Sequence, residues 1–204
     1  MMLVGTSAFA QFSAGAGFVN STDRTKAGGT TTTTGLNGFY AGASYNIPLG
    51  GSGLGVAPGL YYSLLTKKDA GAAGTLAVKH DLTEHYLSLP IHLNYGIAVA
   101  NGVRLGAYAG PTMALGLAST AKVKTDVDLP IFGKITADSK VNNYKDGADY
   151  RRFDVLLGGG VACEFEDMVR FEVGYDYGVL DRYTGKSDIN RHRSQIHVGV
   201  AYLF

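Results

Sequence analysis

The chain has 204 residues, a formal net charge of +1, 17% charged residues and a mean hydropathy of +0.05. That length fits one domain of about eight strands of about ten to twelve residues each. The near-neutral charge leaves no footprint for nucleic acid, the single Cys163 excludes an internal disulfide or a cysteine-rich metal centre, and no run reaches the roughly 18 apolar residues of a membrane helix.

Residues 1–10 form an apolar stretch ending in Ala8-Phe9-Ala10, a small-x-small cleavage pattern without a basic leader. They are read as the remnant of a signal peptide, and residues 11–204 as the folded domain. The first strand spans about Phe12–Val19, with Phe12, Ala14, Ala16 and Phe18 on one face. Asn20–Gly35, with its Thr30–Thr34 run, reads as a polar loop. A second strand over Asn37–Ile47 leads into a tight Pro48–Gly53 turn. The third strand, Leu54–Leu65, contains Pro58, which donates no ladder bond and predicts a local bulge. A second polar connection runs over Thr66–Asp81.

The fourth strand, Thr83–Tyr95, sets Leu87, Leu89, Ile91, Leu93 and Tyr95 against Tyr86, Ser88, Pro90, His92 and Asn94. Gly96–Gly102 is a short connection to the fifth strand, where Leu105, Ala107, Met113 and Leu115 oppose Arg104, Gly106, Tyr108 and Thr112. The longest connection, Ala118–Ala148, retains Val123, Val127 and Leu129 in alternation, which points to a hairpin extension. A sixth strand over Tyr150–Phe165 and a seventh over Val169–Val179 flank Glu166-Asp167-Met168. A fourth polar connection, Asp181–Arg191, precedes the last strand, Ser194–Phe204.

Long polar connections therefore alternate with short ones, and the charged side chains Arg104, Glu164, Arg170, Glu172 and Asp176 fall opposite the aliphatic face. A charged interior within an apolar exterior requires lipid as the outer solvent. The expected fold is all-β, an eight-stranded antiparallel up-and-down transmembrane β-barrel with a lumen filled by side chains. A three-residue turn at Glu166–Met168 pairs Phe165 with Val169 and Glu164 with Arg170. It keeps every apolar residue of both strands on the lipid side. An ion pair between Glu164 and Arg170 follows, with Arg104 and Glu172 extending it and Asp176 facing Gly158.

The last strand places Ile196, Val198, Val200, Tyr202 and Phe204 on one face. That ending resembles the closing strand of bacterial outer-membrane barrels, in which Tyr202 and Phe204 correspond to the insertion signal. Tyr86-Leu-Ser-Leu-Pro-Ile91, Gly106-Ala-Tyr-Ala-Gly-Pro111, Asp154-Val-Leu-Leu-Gly-Gly-Gly160 and Gly174-Tyr-Asp-Tyr-Gly178 resemble "porin family" outer-membrane β-barrel proteins, in architecture like the OmpX and OmpA barrels. The resemblance implies outer-membrane localisation, contact with outer-membrane lipid and lipopolysaccharide, and delivery by the barrel-assembly machinery. It implies no pore.

Five histidines (His80, His85, His92, His192 and His197) lie on separate segments without the spacing of a metal centre, so no cofactor or metal is expected. His192 and Ser194 share a strand face near the rim, as in a lipid-modifying hydrolase, but no carboxylate orienter accompanies them in sequence. Gly158-Gly-Gly160 lacks the Lys-Ser/Thr of a phosphate loop and is read as space for bulky luminal side chains. Arg182, Lys186, Arg191 and Arg193 outnumber Asp181 and Asp188 within one short segment at and just past the fourth connection, a candidate lipopolysaccharide contact.

The function expected is that of a monomeric, non-enzymatic membrane protein with external loops for envelope or surface interactions. A small-solute channel is the alternative and a lipid hydrolase the third reading. Removing Phe204 is expected to reduce sharply the folded, heat-modifiable form of the protein in cells. Unchanged folding would count against the insertion-signal reading.

Overall fold

The computed structural model describes residues 11–73, 76–129, 133–144, 151–185 and 189–204; the ten residues read as a leader remnant lie outside them. Nine strands form: β1 (Gln11–Ala27), β2 (Thr30–Pro48), β3 (Leu54–Ala73), β4 (Leu76–Ala100), β5 (Val103–Leu129), β6 (Gly133–Asn142), β7 (Phe153–Phe165), β8 (Val169–Gly178) and β9 (Ile189–Leu203). Eight of them close an antiparallel ring in the order β1-β2-β3-β4-β5-β7-β8-β9, with β9 returning to β1. The ninth, β6, lies outside the ring and pairs with the distal part of β5.

Side-chain alternation turns the barrel inside out relative to a water-soluble one. Phe12, Phe18, Phe39, Leu60, Tyr62, Leu93, Leu105, Leu157, Val161, Phe171 and Val200 are all exposed on the outer surface. Among the described residues, ten polar or charged residues are buried against eight hydrophobic ones. Burial of that kind is favourable only if lipid, not water, meets the outside. Among the described residues, no helix is long and apolar enough to cross a membrane.

Gln11, Phe204 and the short turns (Leu49–Gly53, Asn101-Gly102 and Glu166–Met168) lie at one end, and the long hairpins at the other. Register between β7 and β8 sets Phe165 opposite Val169, Glu164 opposite Arg170 and Asp176 opposite Gly158, as the three-residue turn requires.

The polar connections differ from the sequence reading. Asn20–Gly35 is not a loop: β1 and β2 continue through it and turn at Gly28-Gly29, both at positive φ. A two-residue Gly-Gly turn suits the right-handed strand twist, and the β-branched threonines of β2 pair well across the ladder. Thr66–Asp81 likewise lies mostly within β3 and β4. Ala118–Ala148 supplies the rest of β5 and all of β6, and Gly96–Ala100 extends β4 to an Asn101-Gly102 turn. β9 begins at Ile189, five residues earlier than expected, because it pairs with the extended β1.

Pro58 produces no bulge. The β2–β3 ladder lapses between Ser44↔Gly59 and Ile47↔Val56 without a change of register, so Pro58 sits where no bond is asked of it. The register shifts fall instead between β4 and β5, at His85/Tyr86 and at Ala98/Ala100.

Glu166 and Asp167 both adopt φ of 53°, with Met168 N donating to the Phe165 carbonyl at 3.0 Å. Left-handed backbone is unfavourable for residues with a Cβ. Replacing the pair with Asn-Gly is expected to raise stability by about 1 kcal/mol, measured as a later urea midpoint of the heat-modifiable form.

Candidate functional site: a lumen plugged at one end and open at the other

The interior divides into two polar regions. Toward the long-hairpin end, β1 contributes Asp23, β4 Glu84 and Tyr86, β5 Ser119, β7 Asp154 and β9 Arg191 and Arg193. The segment between β8 and β9 turns inward and delivers Arg182, which is completely buried. Its guanidinium donates to Asp23 Oδ1 at 3.1 Å and to Tyr86 Oη at 2.6 Å. Arg191 donates to the other Asp23 oxygen at 2.8 Å. Tyr86 in turn donates to Glu84 at 2.7 Å, and Ser119 donates to the same carboxylate at 3.0 Å. The Arg193 guanidinium carbon lies 4.3 Å from the centroid of the Tyr86 ring, and its Nε is 3.7 Å from Asp154.

Three arginines thus meet three carboxylates in one cross-section. A buried ion alone costs several kcal/mol, and hydrogen-bonded partners offset much of that for Asp23 and Glu84, whereas Asp154 has only the longer ion contact with Arg193. Val19, Leu36, Leu65 and Tyr86 pack beside this cluster. Together they close the lumen.

Asp23 lies five residues beyond Phe18, past the apolar outer band; the outward neighbours Thr22, Arg24 and Lys26 are polar. Burial alone would raise its carboxyl pKa. Arg182 and Arg191 outweigh that and hold it below the usual carboxylate range.

Toward the short-turn end lies a cavity of about 940 Å³ lined by residues including Tyr40, Tyr61, His92, Tyr108, Arg170 and Glu172, and reaching the turns at Gly50–Gly53 and Asn101-Gly102. The expectation of a lumen filled throughout is therefore corrected. Filling is confined to the long-hairpin half, because glycine and alanine dominate the inward face elsewhere. In this cavity Arg170 binds Glu164 through Nε at 2.8 Å and Nη2 at 2.5 Å, and Arg104 Nε stands 3.9 Å from the same carboxylate. Glu172 instead accepts a bond from Tyr40 at 3.0 Å.

Asp176 accepts from Gln195 at 2.8 Å and lies 3.4 Å from His197 Nδ1. His197 Nε2 meets Tyr108 Oη at 2.8 Å, and His92 stacks on the Tyr108 ring. A Cβ at Gly160 or Gly174 would stand 2.5 Å from Tyr108 Oη, so these glycines make room for the tyrosine. The five charged residues grouped by sequence thus divide between a Glu164–Arg170–Arg104 set and two carboxylates that meet tyrosine, glutamine and histidine, Asp176 through Oδ2.

The arginines offered for lipopolysaccharide contact are corrected by their placement. Arg182 and Arg193 are buried inside the barrel on acidic and aromatic partners, and Arg191 is bound to Asp23. A guanidinium committed to a buried carboxylate is not at the lipid surface. Lys186 lies outside the described residues. Sequence reasoning missed Asp23, Glu84, Tyr86 and Asp154, which are scattered over three strands.

His192 and Ser194 are on the outer rim. His192 stacks on Tyr177 and approaches the Gly178 carbonyl with Nδ1 at 3.2 Å. Tyr202 and Phe204 form an edge-to-face pair 4.9 Å apart, and Phe12 lies 5.7 Å from Phe204. Among the described residues, no group of three or more His, Cys, Asp or Glu could hold a metal ion.

Arg182→Met leaves Asp23 and Tyr86 short of their cation and is expected to cost about 3–5 kcal/mol in urea unfolding. Since the native Asp23 pKa is depressed, its contribution is present above the unfolded value of about 3.9 and lost as pH falls through the folded one. The gap between wild type and variant should therefore narrow below about pH 4.

No curated protein matches the chain. Among solved structures, the outer-membrane enzyme PagL is similar at 14% identity and a TM-score of 0.50, over 94% of this chain and 98% of that one. Ail, the attachment invasion locus protein of Yersinia pestis, in complex with a heparin analogue, is similar at 14% identity and a TM-score of 0.47, over 96% and 100%. OprG of Pseudomonas aeruginosa is similar at 11% identity and 0.45, over 96% of each chain. The model of the outer membrane protein beta-barrel domain matches residues 8–183, and with the closed, inside-out barrel this makes the chain a member of that family, resident in the bacterial outer membrane.

Proposed function

We propose that the chain is a non-enzymatic surface protein, an ion-plugged barrel that holds two projecting β-sheets for contacts outside the cell. The observation that carries this reading is the continuation of the strands past the apolar band. β2, β1 and β9 continue together as one sheet, and β3, β4, β5 and β6 as another. Strands cost conformational entropy to order, so ordered hairpins standing in water are suited to binding. The long-hairpin end faces outward on this reading, the usual arrangement of such barrels.

Delivery by the barrel-assembly machinery through Tyr202 and Phe204, and a monomeric state, belong to the same proposal. Membership of the "porin family" in the narrower sense does too. His192 fits a structural role at the rim, seated on Tyr177 and the Gly178 carbonyl, rather than hydrolysis.

Passage of a small solute is the second reading, favoured by the cavity of about 940 Å³. Against it stands the Arg182 cluster, which leaves no path through the other half.

Complementation of a null strain tests the two. A variant with residues 121–141 replaced by an Asn-Gly turn is expected to reach the membrane and fail to complement, while Glu172→Gln complements. The reverse pattern, joined by steady wild-type conductance in planar bilayers, would overturn the surface reading and establish the luminal one.

A further inference from the structure

On the outer face of the sheet formed by the distal parts of β3, β4, β5 and β6, two neighbouring rows are basic, and register defines them. Lys68 pairs with Asp81, Asp81 with Lys122 and Lys122 with Lys140. In the next row Lys79 pairs with Lys124, and Lys124 with Asp138. Cross-strand partners share a face, so five lysines stand together against two aspartates. All five lysines are exposed.

This face continues the lipid-facing surface. On β3 the outward series runs Leu60, Tyr62, Leu64, Thr66, Lys68, and on β4 it runs Leu87, His85, Thr83, Asp81, Lys79. On β5 the bulge that sets His85 against Ala118 and Tyr86 against Gly116 inverts the alternation beyond Leu117. Lys122 and Lys124 therefore point outward and Val123 inward. Lys68 stands four residues beyond Leu64. At about 3.3 Å per residue and a strand tilt of about 40°, that is about 10 Å above the apolar band. Polar threonines and Asn142 occupy the level between.

Two of the cross-strand pairs, Lys122 with Lys140 and Lys79 with Lys124, set like charges directly opposite. Such pairs are destabilising in isolation. Among the described residues, Lys124 alone of the five has a close carboxylate partner, Asp138 at 3.8 Å. An anion lying between the pairs would relieve the repulsion.

We propose that this face, through Lys68, Lys79, Lys122 and Lys140, binds the phosphate groups of the glycolipids surrounding the barrel in the outer leaflet. The inference rests on the outward orientation of the long hairpins. The ligand commitment follows from position. A basic surface at headgroup height, continuous with the lipid-facing band and reachable by flexible lysine stems, meets the phosphates of neighbouring lipids before any soluble polyanion. Arg182, Arg191 and Arg193, held on the carboxylates and the tyrosine of the plug, play no part in it.

The test compares the purified full chain with the Lys68→Gln, Lys79→Gln, Lys122→Gln, Lys140→Gln variant and with the corresponding four-Arg variant. Binding of bisphosphorylated lipopolysaccharide, of its dephosphorylated form and of heparin is measured in detergent at two salt concentrations. A drop of at least tenfold is expected for the Gln variant on the phosphorylated glycolipid. The Arg variant should retain binding, the dephosphorylated form should show little difference, and added salt should weaken the wild type. Equal affinity of wild type and Gln variant for the phosphorylated glycolipid overturns the proposal, as does a loss confined to heparin. A heat-modifiability assay on each variant identifies any that fails to fold, and the single Lys122→Gln variant then carries the comparison. A thiol label on Lys140→Cys in intact cells reports orientation separately. Labelling with unchanged glycolipid affinity removes the lipid proposal alone, and absence of labelling removes the orientation beneath it.

Discussion

In lipid there is no water to satisfy a peptide group, so every backbone N–H and C=O in the spanning region must find its partner within the chain. The seam between β1 and β9 is where that condition is met. It runs without interruption from Ser13↔Leu203 to Ala27↔Ile189, and Phe204 N reaches back to the Phe12 carbonyl at 2.9 Å. Closure also fixes parity. A slip of one residue at any seam would turn an entire strand's apolar face into the lumen. The Glu166–Met168 turn, with its left-handed pair, is tolerated because it delivers β8 in the parity that β7 and β9 demand.

Parity also decides what the lumen must contain. With the bulky aliphatic residues turned outward, the inward positions are left to charged, aromatic and very small side chains. Neither half of the interior is an oily core. In one half charges meet charges, three arginines with three carboxylates, and the barrel closes. In the other half carboxylates meet Tyr40, Gln195 and His197 around open space. The difference lies in reach. Among the described residues, the segment that turns back into the bore is the one carrying Arg182, at the long-hairpin end.

The barrel itself was legible because its code is local: period-two alternation and the choice of faces need only neighbouring residues. The β7–β8 register was legible for the same reason, since a three-residue turn leaves one pairing that keeps faces consistent. The plug was not. Asp23 and Arg182 are 159 residues apart in the chain, and a charge count over the fourth connection sees an unbalanced excess of arginine where the fold supplies the carboxylates from elsewhere. The threonine run was read by its composition, although Gly28-Gly29 marked a hairpin. Pro58 was given a bulge that the ladder avoids simply by lapsing beside it.

The sheet of β3, β4, β5 and β6 shows how one set of strands serves two solvents. Within the apolar band its outward face carries Leu60, Leu89 and Leu115, and its inward face carries Ser63, Ser88 and Thr112. Beyond the band the polarity exchanges: lysines point outward, while Leu82, Ala121 and Val123 are half-buried on the inner side. On β3 and β4 the exchange is written in the residues alone, since their alternation does not break between the apolar band and the lysines. On β5 the sequence keeps hydrophobic residues at odd positions throughout, from Leu105 and Leu115 to Val123. A single inserted residue at the bulge moves the later ones to the inner face. Were the alternation to run unbroken through Leu117, Val123 would be turned to water and the lysines toward the sheet's interior. The bulge therefore marks the level on β5 at which the protein leaves lipid, and it does so through backbone register rather than a change in hydrophobic pattern.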